Sequence, residues 1–221
     1  MTENLSGLRI IIVEDESLLR DLLKESLNHI PGLSVVGDYA DGPSAANQVG
    51  GDNPDVALVD INLGPGWNGL ETGLQLRKFK PDLGIVLLSN YSRPDLLTTL
   101  PRNAASGWSY LLKKSVRNID ALTRAIQGAA AHLVVLDPEL VSAAQARNDS
   151  RIRNLTPRQF QILALVAQGY SNSAIAKTLF LSEKSIENHL TTIYSALQIE
   201  TSSSQQHARV KAVLAFLEGQ E

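Results

Sequence analysis

The chain contains no cysteine in its 221 residues. That absence excludes disulfides, thiolate metal sites and a cysteine nucleophile together, so any bound metal must take oxygen or histidine ligands. Aromatic residues are scarce, at 5% of the chain, and methionine occurs once. No apolar run approaches the ~20 residues that cross a bilayer. The opening Met1-Thr2-Glu3-Asn4 lacks a basic stretch followed by an apolar one. These absences lead to the expectation of a cytoplasmic protein with no membrane partner. Strong charge of one sign is also missing, the net charge being −3. Through residue 149 there are 13 basic residues against 18 acidic ones, and after it 7 against 5. A mildly basic C-terminal part permits nucleic-acid binding without demanding it.

What is present is an ordinary globular composition, 43% hydrophobic and 19% charged, long enough for two domains. Apolar runs at 8–13, 33–37, 56–60, 84–89 and 109–112 read as strands. Between them Leu18, Leu19, Leu22, Leu23 and Leu27 recur at helical spacing, and Leu70, Leu74, Leu76 and Phe79 do so less regularly. Strands alternating with helices predict an α/β fold with a doubly wound, five-stranded parallel sheet. After Gly128 the sequence becomes Ala-rich and polar, without a strand signal, and 129–152 reads as a linker. The remainder is helical, giving a second, all-α domain. The expected division is therefore 1–128, linker 129–152, and 153–221.

Charged residues end the buried runs. Glu14 and Asp15 follow the first, and Asp60 ends the third. Parallel strands place their carboxyl ends on one sheet edge, so the acids converge there. Such crowding needs a cation, and all-oxygen ligation suits Mg²⁺, which keeps waters and takes phosphate oxygens. Ser89 ends the fourth strand and Lys113 follows the fifth. Alone, Ser89 is a strand-end turn residue and Lys113 a solvated lysine. Together with the acids they supply a hydroxyl to donate to a phosphoryl oxygen and an ammonium to neutralise it.

Residues 8–128 thereby resemble a response-regulator receiver domain of bacterial two-component signalling, which has a flavodoxin-like sheet. The resemblance implies that Asp60 is the phosphoacceptor. Glu14 and Asp15 match the acidic pair, with Asp15 the more direct Mg²⁺ ligand and Asn62 contributing its backbone carbonyl. Ser89 matches the switch hydroxyl, Lys113 the family lysine, and Tyr110 the aromatic whose rotamer follows the hydroxyl. Phosphorylation is then expected to engage Ser89 and draw Tyr110 inward. Two features depart from the pattern. The loop Leu63-Gly64-Pro65-Gly66-Trp67 is longer than usual and could bring Trp67 over the acids. Leu100-Pro101-Arg102 interrupts the expected fourth helix, where an interior proline costs ~3 kcal/mol.

The second domain carries its own signals. Thr156-Pro157-Arg158-Gln159 is a capped helix start; Ile162, Leu163 and Val166 form a buried stripe that Gly169 ends. Ser171 opens a short helix with Ile175, Ala176 and Leu179 inward, Phe180-Leu181 turns, and Ser182 caps another. This is helix-turn-helix spacing. From Glu183 onward Ile186, Leu190, Ile193 and Leu197 make the core face, leaving Lys184, Glu187, Asn188, Thr191 and Ser195 outward. Such helices are commonly just core elements with a solvated face. The residues themselves, including Ser182-Glu183-Lys184-Ser185-Ile186-Glu187-Asn188-His189, resemble the LuxR-type (NarL/FixJ) DNA-binding domain over 153–217. The resemblance implies promoter-DNA contacts by Lys184, Ser185, Glu187, Asn188 and Thr191. Gln159, Ala174, Glu187 and Ala196 differ from the residues common in that family. Glu187 repels phosphate but can accept from a cytosine amino group.

The resulting expectation is a non-enzymatic regulator that takes a phosphoryl group from a sensor histidine kinase on Asp60 and binds promoter DNA, most readily as a homodimer. The stripe Val210, Val213, Leu214 and Leu217 is a candidate dimer contact, although some of it must also cover the domain's own core. His29, His132 and His207 are scattered and suggest no metal cluster. Two other classes compete with this reading. In a phosphohydrolase with an Asp60 nucleophile a second aspartate commonly follows two positions on, and Asn62 stands there instead. In a phosphorylation-independent regulator the acid, hydroxyl and lysine set would have no use.

Overall fold

The computed structural model describes residues 7–91, 105–147, 152–199 and 205–215. Five strands, β1 (Leu8–Val13), β2 (Leu33–Tyr39), β3 (Val56–Asp60), β4 (Gly84–Ser89) and β5 (Trp108–Leu112), form one sheet in the order β2-β1-β3-β4-β5. All neighbouring pairs are parallel. Helices α1 (Ser17–Asn28), α2 (Gly42–Asp52), α3 (Gly69–Phe79) and α4 (Ile119–Ala130) connect or follow them. The Leu100-Pro101-Arg102 interruption lies outside the described residues.

Side chains alternate across the sheet, as strand geometry requires. Ile11, Val13, Ala57, Val59, Ile85 and Leu87 face the α2 and α3 side, where Ala45, Val49 and Leu76 meet them. Ile10, Ile12, Leu58, Val86 and Leu88 face the other side with Leu23 and Leu27 of α1 and Leu122 and Ile126 of α4. Each fully buried Leu or Ile contributes about 1.5–3 kcal/mol. With both faces covered, β3, β4 and β5 are buried along their whole length. The expected strands thus appear, β2 extending to Tyr39 and β5 starting at Trp108.

The C-terminal part is helical: α5 (Pro138–Arg147), α6 (Pro157–Ala167), α7 (Asn172–Leu179), α8 (Glu183–Ala196) and α9 (Gln205–Leu214). Thr156 and Gln159 form the reciprocal capping box at α6, with the Thr156 N–H donating to Gln159 at 2.8 Å. Ser171 and Ser182 cap α7 and α8. Between those helices Phe180 takes the left-handed conformation at φ +55°, the position that ends α7 and turns the chain. Ile162, Leu163, Val166, Ile175, Ile186, Leu190 and Ile193 are buried against one another. Val210, Val213 and Leu214 of α9 are buried in the same cluster. These three residues therefore cover the chain's own core; Leu217 lies outside the described residues.

Residues 133–137 join the two parts. The segment runs parallel to the free edge of β5. The Tyr110 N–H donates to Val135 O and the Asp137 N–H to Tyr110 O, both at 2.8 Å. On its other edge the Leu136 N–H donates to Ala167 O, the last residue of α6, at 2.8 Å. Val134, Val135 and Leu136 are buried. The stretch that reads as linker in sequence thus contains an extended piece covering an otherwise unpaired sheet edge.

Candidate functional site

Because every strand is parallel, the carboxyl ends of β1, β3, β4 and β5 share one edge of the sheet. Glu14 and Asp60 are buried there, and Asp15 beside them is exposed. Their carboxylates offer ligand atoms that all lie within 4.8 Å of one another. This cluster is the one group among the described residues that could hold a metal ion. Lys113, entering from the end of β5, places its ammonium 2.8 Å from Glu14 and 2.9 Å from Asp60. The Asn62 N–H donates to Asp60 Oδ1 at 3.1 Å. Arg20 of α1 donates to the Glu14 carbonyl oxygen at 2.5 Å, fixing the chain that carries the acids.

Burial is the main force raising the Glu14 pKa, and the Asp60 charge adds to it; the bond from Lys113 opposes both without cancelling them. For Lys113, burial pulls downward, but the bonds and charges of Glu14 and Asp60 prevail and its pKa rises. The ammonium is therefore held charged where it compensates two carboxylates.

Ser89 sits at the rim of the cluster's edge. Its hydroxyl donates to the Tyr91 carbonyl oxygen at 2.9 Å and accepts from the Tyr91 N–H at 3.0 Å. Tyr110 is buried, and its hydroxyl donates to the same carbonyl at 2.7 Å. The ring already occupies the inward position. Trp67 is half-buried and packs on the start of α2, where a Cβ at Gly42 would meet its Cε3 at 3.0 Å. Gly64 is the part of the longer loop that reaches the acids, its Cβ position lying 3.4 Å from Asp15 Oδ2.

On α8, Lys184, Glu187, Asn188 and Thr191 are exposed and Ser185 is half-buried. Lys184 pairs with Glu187 at 2.9 Å, so part of its charge is answered within the helix. Lys184, Glu187, Asn188 and Thr191 line a cleft of about 470 Å³ that also includes Asn172 and Arg209; Ser185 is not part of its lining. His189 is half-buried.

Residues 10–127 match the response regulator receiver domain family, and residues 153–210 match the luxR family of bacterial regulatory proteins. The chain belongs to the response regulators of the NarL/FixJ type. It is 30% identical to the oxygen regulatory protein NreC of Staphylococcus carnosus, over 95% of this chain and all of that protein. With the nitrate/nitrite response regulator NarL of Escherichia coli it shares 31% identity over 87% of this chain and 90% of the relative. A structure of Salmonella typhimurium RcsB superimposes with a TM-score of 0.51 at 21% identity, covering 96% of this chain and 99% of that one; this likeness supports the fold.

For this response regulator, three residues near the two sites escape sequence reasoning. Gly69, at the start of α3, lies so close to the acid strand that a Cβ would meet Asp60 O at 2.3 Å and Ile61 Cα at 2.7 Å. Arg209 of α9 donates to Asn172 Oδ1 at 3.1 Å and to the Tyr170 carbonyl oxygen, and its burial lowers its pKa. The only sequence signal was a cation inside an apolar stripe. Asp137 is fully buried at the end of the extended segment. No helix among the described residues is long and apolar enough to cross a membrane.

Proposed function

We propose that this response regulator accepts a phosphoryl group from a sensor histidine kinase on Asp60 and that the modified chain binds promoter DNA as a homodimer in the cytoplasm. The observation that carries this reading is the Lys113 ammonium bridging Glu14 and Asp60 at 2.8–2.9 Å. A lysine so placed neutralises charge that a phosphoryl group brings to Asp60. The donors around it are all oxygen, with Asp15 open to solvent, a set that fits Mg²⁺. Glu14, Asp15, Asp60 and the Asn62 backbone carbonyl would hold the ion. When bound it supplies charge neutralisation for an anionic donor. An Asp60 oxygen attacks phosphorus, the bond to the donor breaks, and an acyl phosphate remains. Ser89 then donates to a phosphoryl oxygen, and Tyr110 occupies the space behind it.

In the second half, Lys184, Ser185, Glu187, Asn188 and Thr191 face the major groove. The working division is 1–128 for the receiver, 129–152 for the joint and 153–221 for the DNA-binding part. Intact mass after incubation with acetyl phosphate and Mg²⁺ tests the chemistry. One stable adduct, mapped to Asp60, is expected. Continuous hydrolysis without accumulation would favour a phosphohydrolase, and no adduct would favour a phosphorylation-independent regulator.

A further inference from the structure

Asp137 is a fully buried carboxylate whose hydrogen bonds run to backbone of two different elements. Its Oδ2 accepts from the Leu112 N–H at 3.0 Å, and its Oδ1 accepts from the Glu139 N–H in the first turn of α5 at 2.9 Å. Leu112 is the last residue of β5 and directly precedes Lys113. A buried carboxylate is costly unless such donors satisfy it, so the two N–H groups and the acid hold each other in place. The same carboxylate therefore fixes the strand end that delivers Lys113 to Asp60 and the start of the helix that leads toward the DNA-binding part.

The neighbouring contacts extend this link in both directions. Tyr110 has its hydroxyl on the Tyr91 carbonyl that Ser89 also uses, while its backbone N–H and carbonyl are bonded to Val135 and Asp137. The adjacent Leu136 N–H bonds the end of α6 at Ala167. Beside it the Arg124 guanidinium of α4 donates to Gln168 O at 3.1 Å and lies over the Tyr170 ring at 4.3 Å. Gly169 comes close enough that a Cβ there would meet Val135 Cγ2 at 3.0 Å. A displacement of β5's end thus has a short, hydrogen-bonded route to α6.

We infer that Asp137 is a positioning residue that couples the phosphoacceptor site to the DNA-binding part through the extended segment 133–137. The inference rests on Asp60 being the phosphoacceptor. It assigns to a residue outside the expected receiver boundary the task of making Lys113, Tyr110 and α6 move as one unit.

The first test uses the unmodified full chain and hydrogen exchange, with beryllofluoride and Mg²⁺ as the phosphoryl mimic. Protection should change at 56–62 and also at 108–113, 133–141 and 163–168. A change confined to 56–62 would overturn the coupling while leaving the phosphoacceptor reading intact. No change anywhere would remove both. The second test compares DNA affinity with and without the mimic for the wild type, Asp137→Ala, Asp137→Asn and Lys114→Ala. A coupling of ordinary size gives about a 5–150-fold gain in affinity. Asp137→Ala should still take up phosphate on Asp60 yet show a gain within about twofold. Asp137→Asn keeps one acceptor and should recover more of the gain than alanine does. Lys114, whose pair with Glu139 is exposed, should be replaceable without loss. A full wild-type gain in Asp137→Ala would overturn the inference.

Discussion

Tyr110 and Ser89 meet on one acceptor: both hydroxyls donate to the Tyr91 carbonyl oxygen, at 2.7 and 2.9 Å. A phosphoryl oxygen on Asp60 would compete for the Ser89 donor. Ser89→Ala should therefore become phosphorylated normally but transmit little of it. Equal phosphorylation-dependent DNA binding in this variant and the wild type would reduce Ser89 to a strand-end residue. Tyr110→Phe keeps the ring and loses the bond, so its stability should fall by only about 1 kcal/mol, read from denaturant unfolding.

Lys113 compensates two buried acids, so Lys113→Ala leaves them facing each other. Removing one partner of a buried ion pair costs about 3–5 kcal/mol. The variant should melt well below the wild type, and Mg²⁺ should restore more stability to it than to the wild type, since the ion replaces the missing cation. Thermal unfolding across a Mg²⁺ series checks this. Insensitivity to Mg²⁺ in the variant would remove the cation from the acid cluster.

Gly69 marks a close approach to the phosphoacceptor. Because the atoms a Cβ would strike are backbone atoms of Asp60 and Ile61, Gly69→Ala should displace Asp60 itself. The expected cost is about 1–3 kcal/mol for overpacking, with slower adduct formation from acetyl phosphate. Wild-type stability and rate would show that α3 can back away freely.

On α8 Lys184 and Glu187 form an exposed pair, whose contribution to stability is about 0–1 kcal/mol. Glu187→Ala should leave unfolding unchanged, tighten binding to scrambled DNA and steepen the salt dependence by about one unit as Lys184 is freed for phosphate. Asn188→Ala should instead lose site preference and keep the salt slope, because an amide releases no counterions. Affinity against salt on a selected site and on scrambled DNA separates the two; identical behaviour of both variants would contradict the assigned roles.

The strands were readable because a buried parallel strand is a continuous apolar run, and the acids, Ser89 and Lys113 were readable because strand ends fix their location. The helix caps at Thr156, Ser171 and Ser182 were local signals and appear as expected. What the sequence hid depended on distant partners. Leu18 and Leu22 carry the same helical spacing as Leu23 and Leu27, yet only the latter pair is buried, the former being 65% and 52% exposed. Sheet contact, not periodicity, chose the face. The run Leu133-Val134-Val135-Leu136 is too short to announce a strand, and it is the edge of β5 that draws it into a single parallel bridge through Leu136. His132 and His207, far apart in sequence, line one cleft because α9 packs back toward the receiver.

The central claim is that phosphate on Asp60 changes how the chain binds DNA. Its most direct test is the affinity of the full chain for a DNA site selected from random sequence, measured with and without acetyl phosphate and Mg²⁺, for the wild type and Asp60→Asn. The account predicts that treatment raises wild-type affinity and leaves Asp60→Asn, free of any mass increase, unchanged. An equal rise in both proteins, or none in a wild type shown to carry the phosphoryl group on Asp60, would contradict it.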